Sequence, residues 1–164
     1  MSFKSLDEIV QNSKNSGKEF WRVVLEDDMN ERMVTSLESR TKMESLYLSM
    51  KQADEDYDAG LKSASKLVGG DGDKISKALE EGRLISGPFY GEVIAKAIKM
   101  GESNACMKKI VAAPTAGSCG VIPAIFLSYE EQMHVSMDKM IEAMYVASGI
   151  GEIIAVRAFV AGAA

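Results

Sequence analysis

The sequence predicts an all-α fold, and three observations support this prediction. Good helix formers (Ala, Met, Leu, Glu and Lys) dominate the composition. The prolines are Pro88, Pro114 and Pro123, so the first 87 residues contain none and can form long helices. The alternation of apolar and polar residues that is typical of half-buried strands is hard to find. With 164 residues, the chain suits one multi-helix domain.

Charge and hydropathy exclude several classes of function. The chain has 19 basic and 24 acidic residues, a formal charge of −5 and no basic block, which argues against a nucleic-acid partner. No apolar run reaches the roughly 18 residues of a membrane span. The N-terminus lacks the apolar core of a secretion signal. Two unpaired cysteines and eleven methionines favour a reducing, cytoplasmic setting.

The first part of the chain predicts three helices. Ser5 and Glu8 have the spacing of a capping box, so a short helix is expected from there to about Asn15. A second short helix is expected over 18–27. An imperfect apolar stripe of methionine, leucine, alanine and tyrosine predicts one long helix over 30–66, with room for a kink.

A glycine-rich stretch at 68–73 is the clearest linker, with Asp71 or Asp73 as N-cap of the following helix. It separates an N-terminal helical segment, 1–67, from a second helical segment, 73–164. We interpret the two as parts of one α domain.

The second segment predicts further helices, separated by glycine and by small polar residues. Gly82 and Gly101 are expected to end two of them, and the glycines of 148–151 to separate the last two. The expected helices cover 74–81, 89–100, 105–111, 120–130, about 136–147 and 153–160.

The loop at 112–123 organises this segment, because it combines small residues, two glycines and a thiol between two apolar stretches. Pro114 disfavours helical backbone at the residue before it. Gly117 and Gly120 permit backbone angles that other residues avoid. Cys119 is therefore expected near the N-terminus of the next helix. Free N–H groups and the helix dipole favour a thiolate there, which is the form that binds a metal or attacks an electrophile.

The same loop resembles the signature loop of the iron–sulfur-dependent L-serine dehydratases, in their alpha subunit or catalytic domain. The resemblance lies in Ala-Pro-Thr-Ala-Gly-Ser-Cys-Gly-Val-Ile-Pro at 113–123 and extends from about residue 68 to the end. Further matches in the family's order are Ser86-Gly87-Pro88, Asn104-Ala105, Gly149-Ile150-Gly151 and 158–164.

This resemblance implies a lyase that removes water and then ammonia from L-serine to give pyruvate. It also implies a [4Fe–4S] cluster held by three cysteines, whose open iron acts as a Lewis acid on the serine hydroxyl. Cys119 matches the first cluster cysteine. Thr115, Ala116, Gly117 and Ser118 match the surrounding loop, which is expected to bind the substrate carboxylate through hydroxyl and N–H groups. The two hydroxyls equally suit ordinary turn chemistry.

In the family, further cluster cysteines follow soon after the point that Ala164 matches. One cysteine cannot hold the cluster, so we expect a truncated N-terminal fragment that is apo and inactive alone. The intact enzyme would pair with a beta subunit or a fused beta domain. Apolar helices after residue 104 are expected to be exposed and to cause self-association.

A second departure from the family is at 156–159, where relatives are expected to have polar side chains. This sequence has Val156, Arg157 and Phe159 there. If those positions touch the substrate, Arg157 changes the site.

Two other functions remain open from the sequence. The chain could be a non-catalytic helical interaction or regulatory module, since it contains no complete active site. It could also be an enzyme with Cys119 as nucleophile and His134, the only histidine, as base. His134 is expected on the surface, and Cys106 is expected to be a small buried residue.

Overall fold

A computed structural model of the chain describes residues 2–112 and 115–157. All regular elements in these ranges are helical, which confirms the all-α prediction. None of the helices there combines the length and the apolarity needed to cross a bilayer. The elements are α1 (Leu6–Ser16), α2 (Phe20–Arg32), α3 (Ser36–Glu55), α4 (Asp71–Glu80), α5 (Gly87–Ala105), a 3₁₀ turn (Ala116–Ser118), α6 (Val121–Met133) and α7 (Met137–Arg157).

Backbone contacts divide the chain into two compact units. Among the described residues, the first joins 2–47 with 136–157, and the second contains 48–112 and 115–135. The division into segments 1–67 and 73–164 of one domain stays a prediction.

The first unit is built from α1, α2, α7 and the start of α3. Helices α1, α2 and α7 pack against one another. Ser39 and the hydroxyl of Tyr145 form a buried hydrogen bond of 2.7 Å, and Ser39 also donates to Asp28. This polar link ties α3 to α7 inside the unit. The buried apolar residues include Ile9, Trp21, Val24, Met140, Ile141 and Ile153.

The expected long helix over 30–66 is wrong, because the chain turns between α2 and α3. Met33 adopts a left-handed backbone with φ of 53°, and its N–H bonds to the carbonyl of Met29. Thr35 and Glu38 then form a capping box: the Glu38 N–H donates to Thr35 Oγ1 at 3.2 Å, and the Thr35 N–H donates to Glu38 Oε2 at 2.8 Å. The Thr-x-x-Glu pattern could have located this helix start.

Helix α7 is continuous through its glycines, so the expected break at 148–151 is also wrong. A Cβ on Gly149 would lie 2.7 Å from Val24 Cγ2 and 3.3 Å from Phe20 Cε1. The glycine therefore allows close packing of α2 on α7 instead of ending the helix.

The second unit contains the end of α3 together with α4, α5 and α6. Helix α5 packs against both α4 and α6. The chain between α3 and α4 is folded, not an open linker. The Ser63 N–H donates to the Val68 carbonyl at 2.9 Å, and a Cβ on Gly69 would collide with the Leu61 carbonyl. Gly70, not an aspartate as predicted, is the N-cap of α4.

Helix α5 runs past Gly101 to Ala105, and no helix covers 106–112. Its end is a Schellman motif, in which Met107 is left-handed with φ of 61°. The N–H of Met107 donates to the Asn104 carbonyl at 3.0 Å, and the N–H of Lys108 to the Ser103 carbonyl at 2.9 Å. The predicted end at Gly101 is therefore wrong.

Candidate functional site

The loop that precedes α6 forms a reciprocally capped turn, apart from Ala113 and Pro114, which lie outside the described residues. The Ser118 N–H donates to Thr115 Oγ1 at 3.3 Å, and the Thr115 N–H donates to Ser118 Oγ at 3.2 Å. The two hydroxyl oxygens are 3.1 Å apart. Both predicted hydroxyls therefore take part in the turn itself.

Cys119 follows this turn directly, as expected. Its N–H approaches the Ala116 carbonyl at 3.4 Å, and α6 begins two residues later at Val121. The prediction of a cysteine near a helix N-terminus is confirmed.

The sulfur of Cys119 is covered. Cys119 is 1 % exposed and shares an apolar cluster with Ala53, Met100 and Ile110. Sγ faces the Met100 carbonyl at 3.9 Å. Burial raises the pKa of the Cys119 thiol and outweighs the lowering effect of the backbone hydrogen bond. In this conformation the thiol is favoured, so the expected thiolate is wrong. The helix start could be read from the sequence, but the apolar cover could not.

Helix α5 contacts the loop through Ala97 and Asn104. A Cβ on Gly120 would lie 2.6 Å from the Ala97 carbonyl oxygen, so only glycine allows this approach without a shift. Asn104 Nδ2 donates to the Ala116 carbonyl at 3.1 Å. Asn104 thus links α5 to the loop.

The predicted substrate-binding residues differ in exposure. Ala116 and Gly117 are exposed at the crest of the turn, and Thr115 and Ser118 are half-buried. A small ligand can reach the crest without any opening of the fold. Their role in binding substrate stays a prediction.

The structure does not bring together the other candidate pair, Cys119 and His134. His134 is exposed and ends α6, with φ of 51°. The thirteen residues of α6 separate it from Cys119 by about 20 Å. At this distance His134 cannot act as the base for Cys119, so the alternative of a cysteine-nucleophile enzyme is excluded for this pair. Cys106 is half-buried, not fully buried as expected.

The sequence around this loop matches a known protein family. The profile described as Serine dehydratase alpha chain matches residues 15–164, which include the whole Cys119 loop. The chain belongs to this family. The match covers nearly the whole chain, including the first segment, where the sequence alone gave the weaker resemblance.

Individual relatives of the serine dehydratase alpha chain family agree. The chain is 28 % identical over 162 residues to a "Probable L-serine dehydratase, alpha chain" of Bacillus subtilis, covering 99 % of this chain and 54 % of the relative. It is 29 % identical over 157 residues to an "L-serine dehydratase, alpha chain" of Peptoniphilus asaccharolyticus, covering 95 % and 54 %. "L-serine dehydratase 2" of Escherichia coli matches at 35 % over 68 residues, 41 % of this chain and 15 % of the relative. The chain thus spans about half the length of the two alpha-chain relatives. No solved structure matches it significantly.

The described residues of this family member do not form a complete iron–sulfur site. Across 2–112 and 115–157, no group of three or more His, Cys, Asp or Glu side chains is arranged to hold a metal ion. Cys119 offers one sulfur, and that sulfur is packed among apolar side chains. The role of Cys119 as one ligand of a cluster therefore stays a prediction.

Arg157, which departs from the expected family pattern, lies in the first unit. Its Nε and Nη2 donate to the Lys4 carbonyl at 3.2 and 2.9 Å. The guanidinium thus binds backbone near the N-terminus. Phe159 lies outside the described residues.

An ion cluster centred on Lys96 was not found from the sequence. Lys96 Nζ lies 2.8 Å from Asp54 Oδ2, 3.2 Å from Glu131 Oε1 and 3.7 Å from Glu92 Oε1. Burial raises the pKa of Glu131. Hydrogen bonds from Glu131, Gln132 and Lys96 outweigh burial and lower the pKa of Glu92. Because these groups come from α3, α5 and α6, no local pattern could reveal the cluster.

Proposed function

We propose that this chain is part of an L-serine ammonia-lyase that converts L-serine to pyruvate and ammonia. The observation that carries this proposal is the family match over residues 15–164, which contains the Cys119 loop. In the reaction, the α-proton and the β-hydroxyl leave as water, which gives 2-aminoacrylate. One water then hydrolyses this enamine, through its imine, to pyruvate and ammonia.

In this proposal, Cys119 is one ligand of the [4Fe–4S] cluster of the whole enzyme. The buried thiol must lose its proton and its apolar cover when it binds iron. We expect the remaining ligands to come from outside the described residues. The 164-residue chain alone would carry no cluster and would be inactive.

The turn formed by Thr115, Ala116, Gly117 and Ser118 is our proposed site for the substrate carboxylate. Its crest is open to solvent, and it leads into the N-terminus of α6, whose dipole favours negative charge. A role for the hydroxyls would require Thr115 and Ser118 to exchange part of their mutual cap for the ligand.

The whole enzyme would be cytoplasmic and would pair with a beta subunit or a fused beta domain. Relatives named as alpha chains support such a partner. The alternative, a non-catalytic interaction module, predicts neither iron uptake nor pyruvate formation.

The test of this function uses the complete open reading frame that encodes the chain, reconstituted anaerobically with iron and sulfide. We expect a brown protein that forms pyruvate from L-serine and loses both properties in Cys119→Ser. Cys106→Ser is the matched control and should keep both, because Cys106 lies outside the loop whose cysteine matches the first cluster ligand. A protein that takes up no iron would contradict the proposal. Iron uptake without pyruvate would call for the same assay with the beta partner added.

We also propose that the 164-residue chain pairs with a second copy of itself through α6. Val121, Ile125, Tyr129 and Met133 lie four residues apart and are between 42 and 61 % exposed. They form an apolar ridge about 18 Å long on one face of the helix. A symmetric pair would bury this ridge against its own copy.

The oligomeric state tests this pairing. Sedimentation should give a dimer for the parent chain and a monomer for Ile125→Lys. Ile154→Lys is the control, since Ile154 is similarly exposed on α7 and lies outside the ridge. A parent chain that sediments as a monomer would overturn the proposal.

A further inference from the structure

Glu102 is a buried carboxylate that caps a helix far from it in sequence. It lies on α5 and is only 5 % exposed. The N–H groups of Asp71 and Gly72, at the start of α4, donate to its two carboxylate oxygens at 2.7 and 3.2 Å. The N-cap residue, Gly70, has no side chain and a left-handed backbone with φ of 82°. Glu102 therefore supplies the cap that the local sequence of α4 lacks.

A phenol completes this arrangement. The hydroxyl of Tyr57 donates to Glu102 Oε2 at 2.6 Å. Burial, together with the hydrogen bond to Glu102, raises the pKa of Tyr57, so the phenol remains a protonated donor. The carboxylate thus binds α4, through its N-terminus, and the chain that follows α3.

The opposite side of α5 holds the Cys119 loop. The Met100 carbonyl accepts from Cys119 Sγ, and Asn104 Nδ2 donates to the Ala116 carbonyl. Met100 and Asn104 are four residues apart and share one face, whereas Glu102 is two residues from each and projects from the opposite side. The last turns of α5 are therefore clamped between α4 and the loop.

We propose that Glu102 is a positioning residue for the Cys119 loop. By fixing the C-terminal turns of α5 against α4, it holds the Met100 carbonyl and the Asn104 amide where they keep Cys119 covered. Its importance for catalysis rests on the proposed function, because only there does Cys119 bind iron. The effect of Glu102 on the exposure of the Cys119 thiol does not depend on the proposed function.

The rate of iodoacetamide alkylation of Cys119 under native conditions tests this inference on the chain without iron or substrate. Lys108 and Lys109 lie between the two cysteines, so tryptic peptides separate Cys119 from Cys106. In Glu102→Gln, an amide replaces one of the acceptors, and we expect alkylation of Cys119 to be about tenfold faster. Glu80→Gln, at the exposed end of α4, should leave the rate unchanged.

Asn104→Ala is the second variant, because it removes the contact with Ala116 while leaving the buried carboxylate in place. It should also speed alkylation of Cys119. If Glu102 acts through the end of α5, the double variant should show less than the product of the two single effects.

Denaturant titration of the same variants gives each global unfolding constant. We expect the alkylation rate to rise by a larger factor than the global unfolding constant does. Such a difference shows that the loop opens locally, without unfolding of the whole chain. Unchanged alkylation of Cys119 in Glu102→Gln would overturn the proposal, as would a rate that only follows global unfolding. Either result would leave iron uptake by the complete protein unaffected, so failure here is distinct from failure of the proposed function.

Discussion

Gly120→Ala is expected to lower the free energy of unfolding by about 3 kcal/mol. The added Cβ would lie 2.6 Å from the Ala97 carbonyl oxygen and 3.3 Å from Ala97 C and Cα. These are backbone atoms of α5, so no side-chain rotation can relieve the clash. The φ of Gly120 is −82°, an ordinary value for alanine, and the cost is therefore steric and not conformational. The start of α6 must move away from α5, and Cys119 moves with it.

Chemical denaturation measures this loss, and Gly101→Ala is the matched control. Gly101 lies inside α5, and nothing is within 4 Å of an added Cβ. Alanine there should raise the free energy of unfolding by about 0.5–1 kcal/mol, because glycine weakens a helix interior. If Gly120→Ala is as stable as the parent, α5 and α6 are not in the close contact described.

Lys96→Met is expected to cost about 3 kcal/mol at neutral pH. The side chain of Lys96 is 12 % exposed, and its ammonium faces three carboxylates. Methionine replaces the apolar stem of lysine with one of similar length and removes the ammonium group. Asp54 then becomes a buried carboxylate without its cation, and its Oδ1 already has no hydrogen-bond partner in the described part of the chain. A buried charge without its partner is costly.

The pH dependence of this loss has a defined sign. Partial burial and the hydrogen bond to Glu92 raise the pKa of Glu131 even beside Lys96, although the Glu131 side chain is 51 % exposed. A carboxyl group with a raised pKa stabilises the fold below its unfolded pKa, and this contribution is lost as pH rises through the raised value. Removal of the ammonium raises that pKa further. The deficit of Lys96→Met should therefore be largest near neutral pH and shrink toward about pH 5.

Urea denaturation across this pH range provides the measurement. Lys77→Met serves as the surface control, because Lys77 pairs with Asp73 where the side chains are 64 and 36 % exposed. It should change the free energy of unfolding by less than about 0.5 kcal/mol. Adding Asp54→Asn to Lys96→Met should recover at least half of the loss. A loss in the free energy of unfolding that does not change with pH, or that Asp54→Asn does not reduce, would show that lost packing is responsible and not the unpaired carboxylates.

Local sequence determined the helical class and the position of the Cys119 loop. Helix formers and the absence of early proline indicated an all-α chain, and the small residues before Val121 placed Cys119 at a helix start. The capping box at Ser5 was also readable, since the Glu8 N–H donates to Ser5 Oγ, although the Glu8 carboxylate reaches the N–H of Lys4. Such signals involve residues within four positions of one another, so they survive without any tertiary information.

Tertiary structure decided everything that depends on distant partners. Gly101 and Gly149 look like helix ends in the sequence, but lie inside α5 and α7 because packing supports both helices beyond them. No local pattern singles out Glu102, which caps α4 from thirty residues away. Cys119 reads as a thiolate at a helix dipole and is instead a covered thiol. Burial shifts the pKa of a thiol, and tertiary packing determines which groups a buried carboxylate can bind. Both depend on which segments pack together, not on which residues are adjacent in the chain.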